Sequence, residues 1–298
     1  QISAYLAPFN LGALVDFKGI SGGIENTNYF VTTKVTGQPQ QDFVLTLFED
    51  LSYDDIPYFV DLTDHLVAND VTVPAALRDK NGTALTLLAG KPAVLFPRFA
   101  GDHLARSEIG VSECAIMGKE LARLHLAGQK FATTRHSHRG QAWWSELGPR
   151  AAKCIDGEGA TMLMMAIGQY EAMQSQQPDL PKGVVHGDLF HDNALFNQGQ
   201  LSATIDLYNA SNDYLLFDVA ITVNDWCIAA DGSIEPDLYN AFLEAYASIR
   251  TFNEAEHRYW NAMLVAAAMR FWLSRLETFH GLDAHHREEG VTVLKDPD

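Results

Sequence analysis

Along the first hundred positions, apolar residues fall into short, separated bursts. Residues 14–20, 29–35 and 43–48 are runs of β-branched and aromatic side chains closed off by Gly, Asn and Gln-Pro, which predicts three strands. Ile56, Phe59, Leu62, Leu66 and Val67 then recur near helical spacing and predict a helix over 54–69. Residues 83–88 and 93–96 read as two more strands, with Asn81-Gly82 as a hairpin-type turn ahead of them. Strands, one helix and further strands predict an α+β layer.

Beyond Phe96-Pro97-Arg98-Phe99-Ala100-Gly101 the period changes to that of helices. The pattern predicts a helix over 110–131, with Cys114, Met117, Leu121, Leu124 and Leu126 on or near one face, and another over 160–173. Pro178 and Pro181 interrupt the chain, and residues 184–206 read as short strand, loop, short strand. Residues 214–228 form an apolar, and therefore buried, helix. Pro236 opens a helix to 249, and Asn253 with Glu256 is a capping pattern for a last long helix ending near His280. Met162, Met164 and Met165 read as core filler. The expectation is a β-rich part over 1–97 and a mainly helical part over 98–298, without internal repeats.

Composition narrows the function classes. Of the 298 residues, 47% are hydrophobic and 20% charged, which suits one large or two smaller globular domains and excludes disorder for most of the chain. Lys plus Arg number 21 against 38 Asp plus Glu, a formal charge of −17. Such a field repels polyanions, so neither nucleic acid nor an anionic membrane surface is an expected partner, whereas divalent metals and small cationic ligands are. Cys114, Cys154 and Cys227 are odd in number and form no CxxC pair, which argues against a disulfide framework or structural zinc and suits a reducing cytoplasm. The longest apolar stretch, 263–273, is too short to span a bilayer and contains Arg270. No basic-then-apolar leader opens the chain, so a cytoplasmic location is expected. The first residue is Gln1, so the natural first residue is expected upstream of it.

The chemistry concentrates in His186-Gly-Asp188-Leu-Phe-His-Asp-Asn193 and in Asp206, at the end of a short strand. Phosphoryl transfer needs a carboxylate to orient the attacking hydroxyl and take its proton, together with oxygen ligands that hold Mg²⁺ against the phosphates. H-x-D-x-x-x-x-N followed by a strand-end Asp supplies those parts in kinase order. Singly, each of these residues reads as an ordinary loop or capping residue; it is the spacing of the three that argues for chemistry.

These residues carry a resemblance that runs over nearly the whole chain. The chain resembles the aminoglycoside/choline phosphotransferase group, which has a protein-kinase-like fold, and more narrowly the bacterial homoserine kinases within it. The matching blocks are Phe17-Lys-Gly-Ile, Gly23-Ile-Glu-Asn-Thr-Asn-Tyr29, Phe43-Val-Leu-Thr-Leu-Phe-Glu49, Glu120-Leu-Ala-Arg-Leu-His-Leu126 and the 186–193 loop. They continue with Ile205-Asp-Leu-Tyr, Asn212-Asp, Val223-Asn-Asp-Trp-Cys227, Met269-Arg-Phe-Trp-Leu-Ser-Arg-Leu276 and Lys295-Asp-Pro. The resemblance implies a bilobal fold, with a small antiparallel β-sheet lobe carrying one helix and a larger, mainly helical lobe. It also implies ATP and Mg²⁺ as cofactors and a small amino-alcohol, homoserine, as substrate. A few residues beyond the present C-terminus are expected as well.

Residue by residue, the resemblance makes Asp188 the catalytic Asp, Asn193 and Asp206 the Mg²⁺ ligands, and His186 and Asp218 the supports of the catalytic loop. Gly22 and Gly23 match the loop that covers the nucleotide, and Phe96 to Gly101, with Arg98, match the interlobe linker that reads adenine. For the substrate, Arg270 is the candidate for the carboxylate, because a guanidinium fork matches two oxygens, although an Arg that interrupts an apolar run is more often paired structurally. Asp213 and Asp225, with Trp226, are candidate pocket residues. One departure stands out: the lysine of the third kinase strand is Thr46, which cannot neutralise a phosphate, so Lys18, Lys34 or Lys91 is a candidate substitute.

Three other readings compete. Another amino-alcohol kinase (choline, ethanolamine or aminoglycoside) would share the catalytic loop. A catalytically inactive nucleotide-binding module would explain Thr46 but not the intact Asp188, Asn193 and Asp206. A metallohydrolase would use His186, Asp188, His191 and Asp192, which lie in one loop without partner clusters elsewhere. The charge is also uneven: residues 183–249 contain no Lys or Arg and ten acids, suiting a site for Mg²⁺ and a substrate ammonium.

Overall fold

The computed structural model describes residues 1–20 and 26–282. The chain forms two compact units, one of Gln1–Asp102 with Leu195–Ile205, the other of His103–Ala194 with the chain from Asp206 onward. The first unit begins with α1 (Ile2–Leu6), then β1 (Ala13–Gly19), β2 (Asn26–Lys34), β3 (Gln40–Phe48), α2 (Ile56–Val67), β4 (Thr86–Leu88) and β5 (Lys91–Pro97). The five strands make one antiparallel sheet in the order β1-β2-β3-β5-β4.

Strand period two sorts this sheet into faces. Val31, Phe43, Leu45, Leu47, Ala93 and Leu95 bury one face against Tyr5, Leu6 and Phe9. The register Lys18↔Phe30↔Val44↔Phe96 and Asn28↔Thr46↔Val94 puts those side chains on the opposite face. The strand expected over 83–88 is shorter, beginning at Thr86, and residues 79–83 make a turn ahead of it. The Asp79 carboxylate accepts the amides of Asn81 at 2.8 Å and Thr83 at 2.9 Å, so these donors are unavailable to a ladder.

The second unit continues with α3 (Val111–Gly128), α4 (Gln141–Ala151), α5 (Gly157–Ser175) and β6 (Lys182–Val185). The hairpin β7 (Ala194–Asn197) and β8 (Gln200–Thr204) belongs almost wholly to the first unit. There Asp102 and Phe196 exchange backbone hydrogen bonds of 3.1 and 2.9 Å, and the Thr204 amide donates to Thr72 at 2.7 Å. Gly101 makes this approach feasible: at φ +117°, a Cβ would stand 2.5 Å from the Phe196 carbonyl oxygen. The chain then returns through β9 (Ser211–Tyr214), which pairs antiparallel with β6, to α6 (Leu215–Trp226), α7 (Pro236–Ala247) and α8 (Glu254–Phe279).

Helices α4, α5, α6 and α8 share a core in which Trp144, Leu163, Ile167, Tyr170, Phe217 and Leu273 are buried. Each such side chain contributes about 1.5–3 kcal/mol by leaving water. α4 lies outside the sequence-based expectations: it is short, and Pro149 interrupts its donor pattern. The three methionines are a correction. Met162, Met164 and Met165 are 61%, 40% and 58% exposed, because α5 buries the stripe Leu163, Ala166, Ile167 and Tyr170. The cap of α8 forms as the pattern predicts: Asn253 accepts the Glu256 amide at 2.8 Å and Glu256 accepts the Asn253 amide at 2.9 Å. Among the described residues, no helix is long and apolar enough to cross a membrane.

Candidate active site

Residues 186–193 leave β6 as a loop and end in a single 3-10 turn over His191–Asn193. Gly187 has φ +77°, and a Cβ on it would stand 2.8 Å from the Asn209 carbonyl oxygen, so the bend before Asp188 requires glycine. Helix α6 grips this loop along its length. Asp218, fully buried, accepts the amides of His186 at 2.7 Å and Gly187 at 2.9 Å. The Trp226 indole donates to the Leu189 carbonyl at 3.1 Å. Asp225 accepts both the His191 amide, at 2.7 Å, and His191 Nδ1, at 2.9 Å. The Asn193 side-chain amide donates to the Asp188 carbonyl at 2.8 Å, tying the two ends together.

The Asp218 grip is backed by a buried chain of side chains. His125 Nε2 lies 3.0 Å from Asp218, and its Nδ1 lies 2.7 Å from the Tyr246 hydroxyl. A carboxylate only accepts, so Nε2 carries the proton and the Tyr246 hydroxyl donates to Nδ1. Arg250 donates to the Tyr246 oxygen at 3.1 Å and to Glu256 at 2.8 Å. Burial holds the His125 imidazole below its ordinary value, which keeps the ring neutral. For Asp218, burial acts upward, but the hydrogen bond from His125 and the Gly187 amide outweigh it and hold the carboxyl below the ordinary range.

The remaining expected site residues fall in several places. His186 is buried at the start of the loop. Asp206 is exposed and adopts the left-handed conformation, φ 62° and ψ 55°, which Asp tolerates better than most residues. Asp213 sits in β9 opposite Gly183, and its carboxylate accepts the Tyr214 amide at 2.7 Å. Burial pushes its pKa up to about 6, against the lowering effect of the Tyr214 amide and Lys182. Arg270 is 5% exposed on α8, its guanidinium 3.9 Å from the Phe271 ring centre. Phe271 in turn packs against Phe190 of the loop at 4.4 Å between centres.

Asp225, expected as a pocket residue, is engaged on both carboxylate oxygens. Its Oδ2 is taken by His191 and its Oδ1 accepts Arg106 at 2.7 Å, so both oxygens serve the loop and its surroundings. Burial would raise its pKa, but His191 and then Arg106 hold it low. Trp226 is likewise buried and bonded to the loop. In the first unit, Phe96 is buried in β5, and Arg98 stacks 3.9 Å over the Phe30 ring. Gly22 and Gly23, like Lys295-Asp-Pro, lie outside the described residues. Thr46 is buried and donates to Asn28 at 2.7 Å. Lys91 forms an ion pair with Glu49 on the other face of the sheet. Among the described residues no group of three or more His, Cys, Asp or Glu is arranged to hold a metal ion.

A small sheet unit, a helical unit and a gripped H-x-D-x-x-x-x-N loop define a phosphotransferase. The model of the phosphotransferase enzyme family matches residues 16–259, and the chain belongs to that family. Amicoumacin kinase hAmiN, solved with AMP-PNP, Ca²⁺ and Ami, superposes with a TM-score of 0.71 at 14% identity, over 98% of this chain and 88% of that one. An ethanolamine kinase of Plasmodium vivax gives a TM-score of 0.62 at 17% identity, over 88% and 75%. Both likenesses show the protein-kinase-like fold. At the level of sequence, the homoserine kinase of Pseudomonas aeruginosa (strain UCBPP-PA14) is 42% identical over 95% of this chain and 88% of that protein. The homoserine kinase of Methylobacillus flagellatus is 40% identical over 100% and 89%. Within the phosphotransferases, the chain therefore groups with the homoserine kinases.

Proposed function

We propose that the protein transfers the terminal phosphoryl group of ATP to the side-chain hydroxyl of L-homoserine, giving O-phospho-L-homoserine on the way to threonine, in the cytoplasm. The observation that carries this reading is the loop geometry. Asp188 stands between backbone segments held by Asp218 and by Asp225, so its carboxylate is presented by a fixed frame. In that frame Asp188 orients the attacking hydroxyl and accepts its proton.

Asn193 and Asp206 would hold Mg²⁺. Their chemistry fits: the Asn193 amide nitrogen is occupied by the Asp188 carbonyl, which leaves its oxygen for a metal, and Asp206 offers an exposed carboxylate. Mg²⁺ takes hard oxygens, commonly one or two carboxylates alongside substrate phosphates, which suits a pair of protein ligands. When bound, Mg²⁺-ATP supplies the transferable phosphoryl group and neutralises its developing charge. Gly22, Gly23 and the Phe96–Arg98 segment would receive the nucleotide. Lys18 shares the sheet face of Thr46 and would take the phosphate charge that Thr46 cannot. Arg270, beside the Phe271–Phe190 contact, would pair with the homoserine carboxylate, and Asp213 with its ammonium.

A coupled assay of ADP release over a panel of homoserine, choline, ethanolamine and an aminoglycoside tests the substrate. Homoserine is expected to dominate by kcat/KM, and equal or better turnover of another acceptor overturns the reading. Asp188→Asn should abolish turnover while nucleotide binding by calorimetry persists.

A further inference from the structure

Asp218 and Asp225 stand seven residues apart on α6. Two helical turns bring them back to one face, about 10 Å apart along the axis. That face meets the loop at both ends: Asp218 holds the amides of 186 and 187, just before Asp188, and Asp225 holds the amide and ring of His191, two residues before Asn193. Between them the Trp226 indole holds the Leu189 carbonyl. The second grip has a support of its own. Arg106, in the 3-10 turn Arg106–Glu108 that precedes α3, donates from one guanidinium nitrogen to Asp225 Oδ1 at 2.7 Å and from another to the Asp225 main-chain oxygen. The Asp225 side chain is 9% exposed and that of Arg106 43%. The carboxylate is therefore sheltered, while its cation can be altered with little loss of core.

We propose that Arg106 and Asp225 are a positioning pair that sets the Asn193 end of the catalytic loop, separately from the Asp218 grip at the Asp188 end. The inference rests on the reading of Asn193 as a metal ligand. It assigns Asp225 to the metal side of the reaction and withdraws it from the substrate pocket. Asp225 Oδ2 accepts two donors from one residue, so an amide at this position must turn its NH₂ either toward His191 or toward Arg106, and one of the two grips is lost. Partners of ligand-bearing residues that act in this way typically change metal affinity or activity by about 10–100-fold when removed.

The test compares Asp225→Asn, Arg106→Met, Arg106→Lys and the Arg106→Met/Asp225→Asn double variant with the parent. Asp225→Asn should lower kcat by about tenfold or more and raise the Mg²⁺ concentration for half-maximal rate, with little change in KM for homoserine. Arg106→Met should move both quantities in the same direction, Arg106→Lys should restore most of the loss, and the double variant should be no worse than Asp225→Asn. Hydrogen exchange over 189–193 should quicken in Asp225→Asn and Arg106→Met at unchanged melting temperature. If Asp225→Asn does not fold, Arg106→Met carries the test.

A rise in KM for homoserine with unchanged Mg²⁺ dependence would return Asp225 to the substrate pocket and overturn the proposal. Unaltered exchange over 189–193 would overturn it as well. The exchange arm needs no substrate, so a parent enzyme that fails to phosphorylate homoserine would sink the proposed function while leaving the pair to be judged on loop dynamics alone.

Discussion

Asp213 is a half-buried carboxyl whose pKa is pushed up to about 6 by desolvation, opposed by the Tyr214 amide and Lys182 and assisted by Asp218. Between its ordinary value near 3.8 and 6, the folded state holds a proton that the unfolded state releases. Stability from this residue is thus greatest in acid and declines as pH rises through that window, by about 3 kcal/mol in all. Asp213→Asn keeps an acceptor for the Tyr214 amide and removes the charge. Thermal denaturation should show the variant more stable than the parent above pH 6, with the difference fading toward pH 4. If Asp213 meets the substrate ammonium, the same variant should raise KM for homoserine severalfold more than KM for ATP. A variant less stable than its parent at pH 7.5 would mean that the carboxylate has a partner repaying its burial.

Elements decide which residues can cooperate. The kinase spacing of Asp188, Asn193 and Asp206 is legible in the sequence because the loop is contiguous. Asp218 is legible only through the family resemblance. His125, Tyr246, Arg250 and Glu256 line up behind Asp218 from separate elements, and nothing in the linear order links Arg106 to Asp225, 119 positions on. Strand alternation similarly distinguishes the lysines proposed to replace the one missing at Thr46. Lys18 lies on the face of Thr46, Lys91 is paired with Glu49 on the other, and Lys34 stands at the far end of β2 from the turn that joins it to β1. Lys18→Met should therefore raise KM for ATP about tenfold, a loss of about 1.4 kcal/mol, while Lys34→Met and Lys91→Met leave it near the parent value. Equal effects from all three would remove Lys18 from the phosphate site.

For the whole molecule, the α+β class and the succession of strands before helices were legible from the change of hydrophobic period. Helix α4 and the outward methionines of α5 were not, since composition cannot say which stripe a helix buries. The net charge of −17 also looks different once the acids of 183–249 have positions. Asp218 and Asp225 hold the loop, Glu235 caps α7 through the Leu238 amide, and Asp231 fixes the turn at Ser233, so much of the acidity is architectural. The rest still repels itself. With a sequence pI near 4.9, added NaCl should raise the melting temperature at pH 8 and change it little at pH 5. A salt response equal at both values would argue that the charges are already balanced locally.

The β7–β8 hairpin carries a consequence for how the protein is made. The first unit borrows residues 195–205, so a nascent chain that has released its five-stranded sheet still lacks the Asp102–Phe196 ladder and the Thr204–Thr72 bond. That unit can be completed only after residue 205 has left the ribosome. The borrowed segment lies between Asn193 and Asp206, so each of the two proposed metal ligands flanks a segment that is built into the first unit.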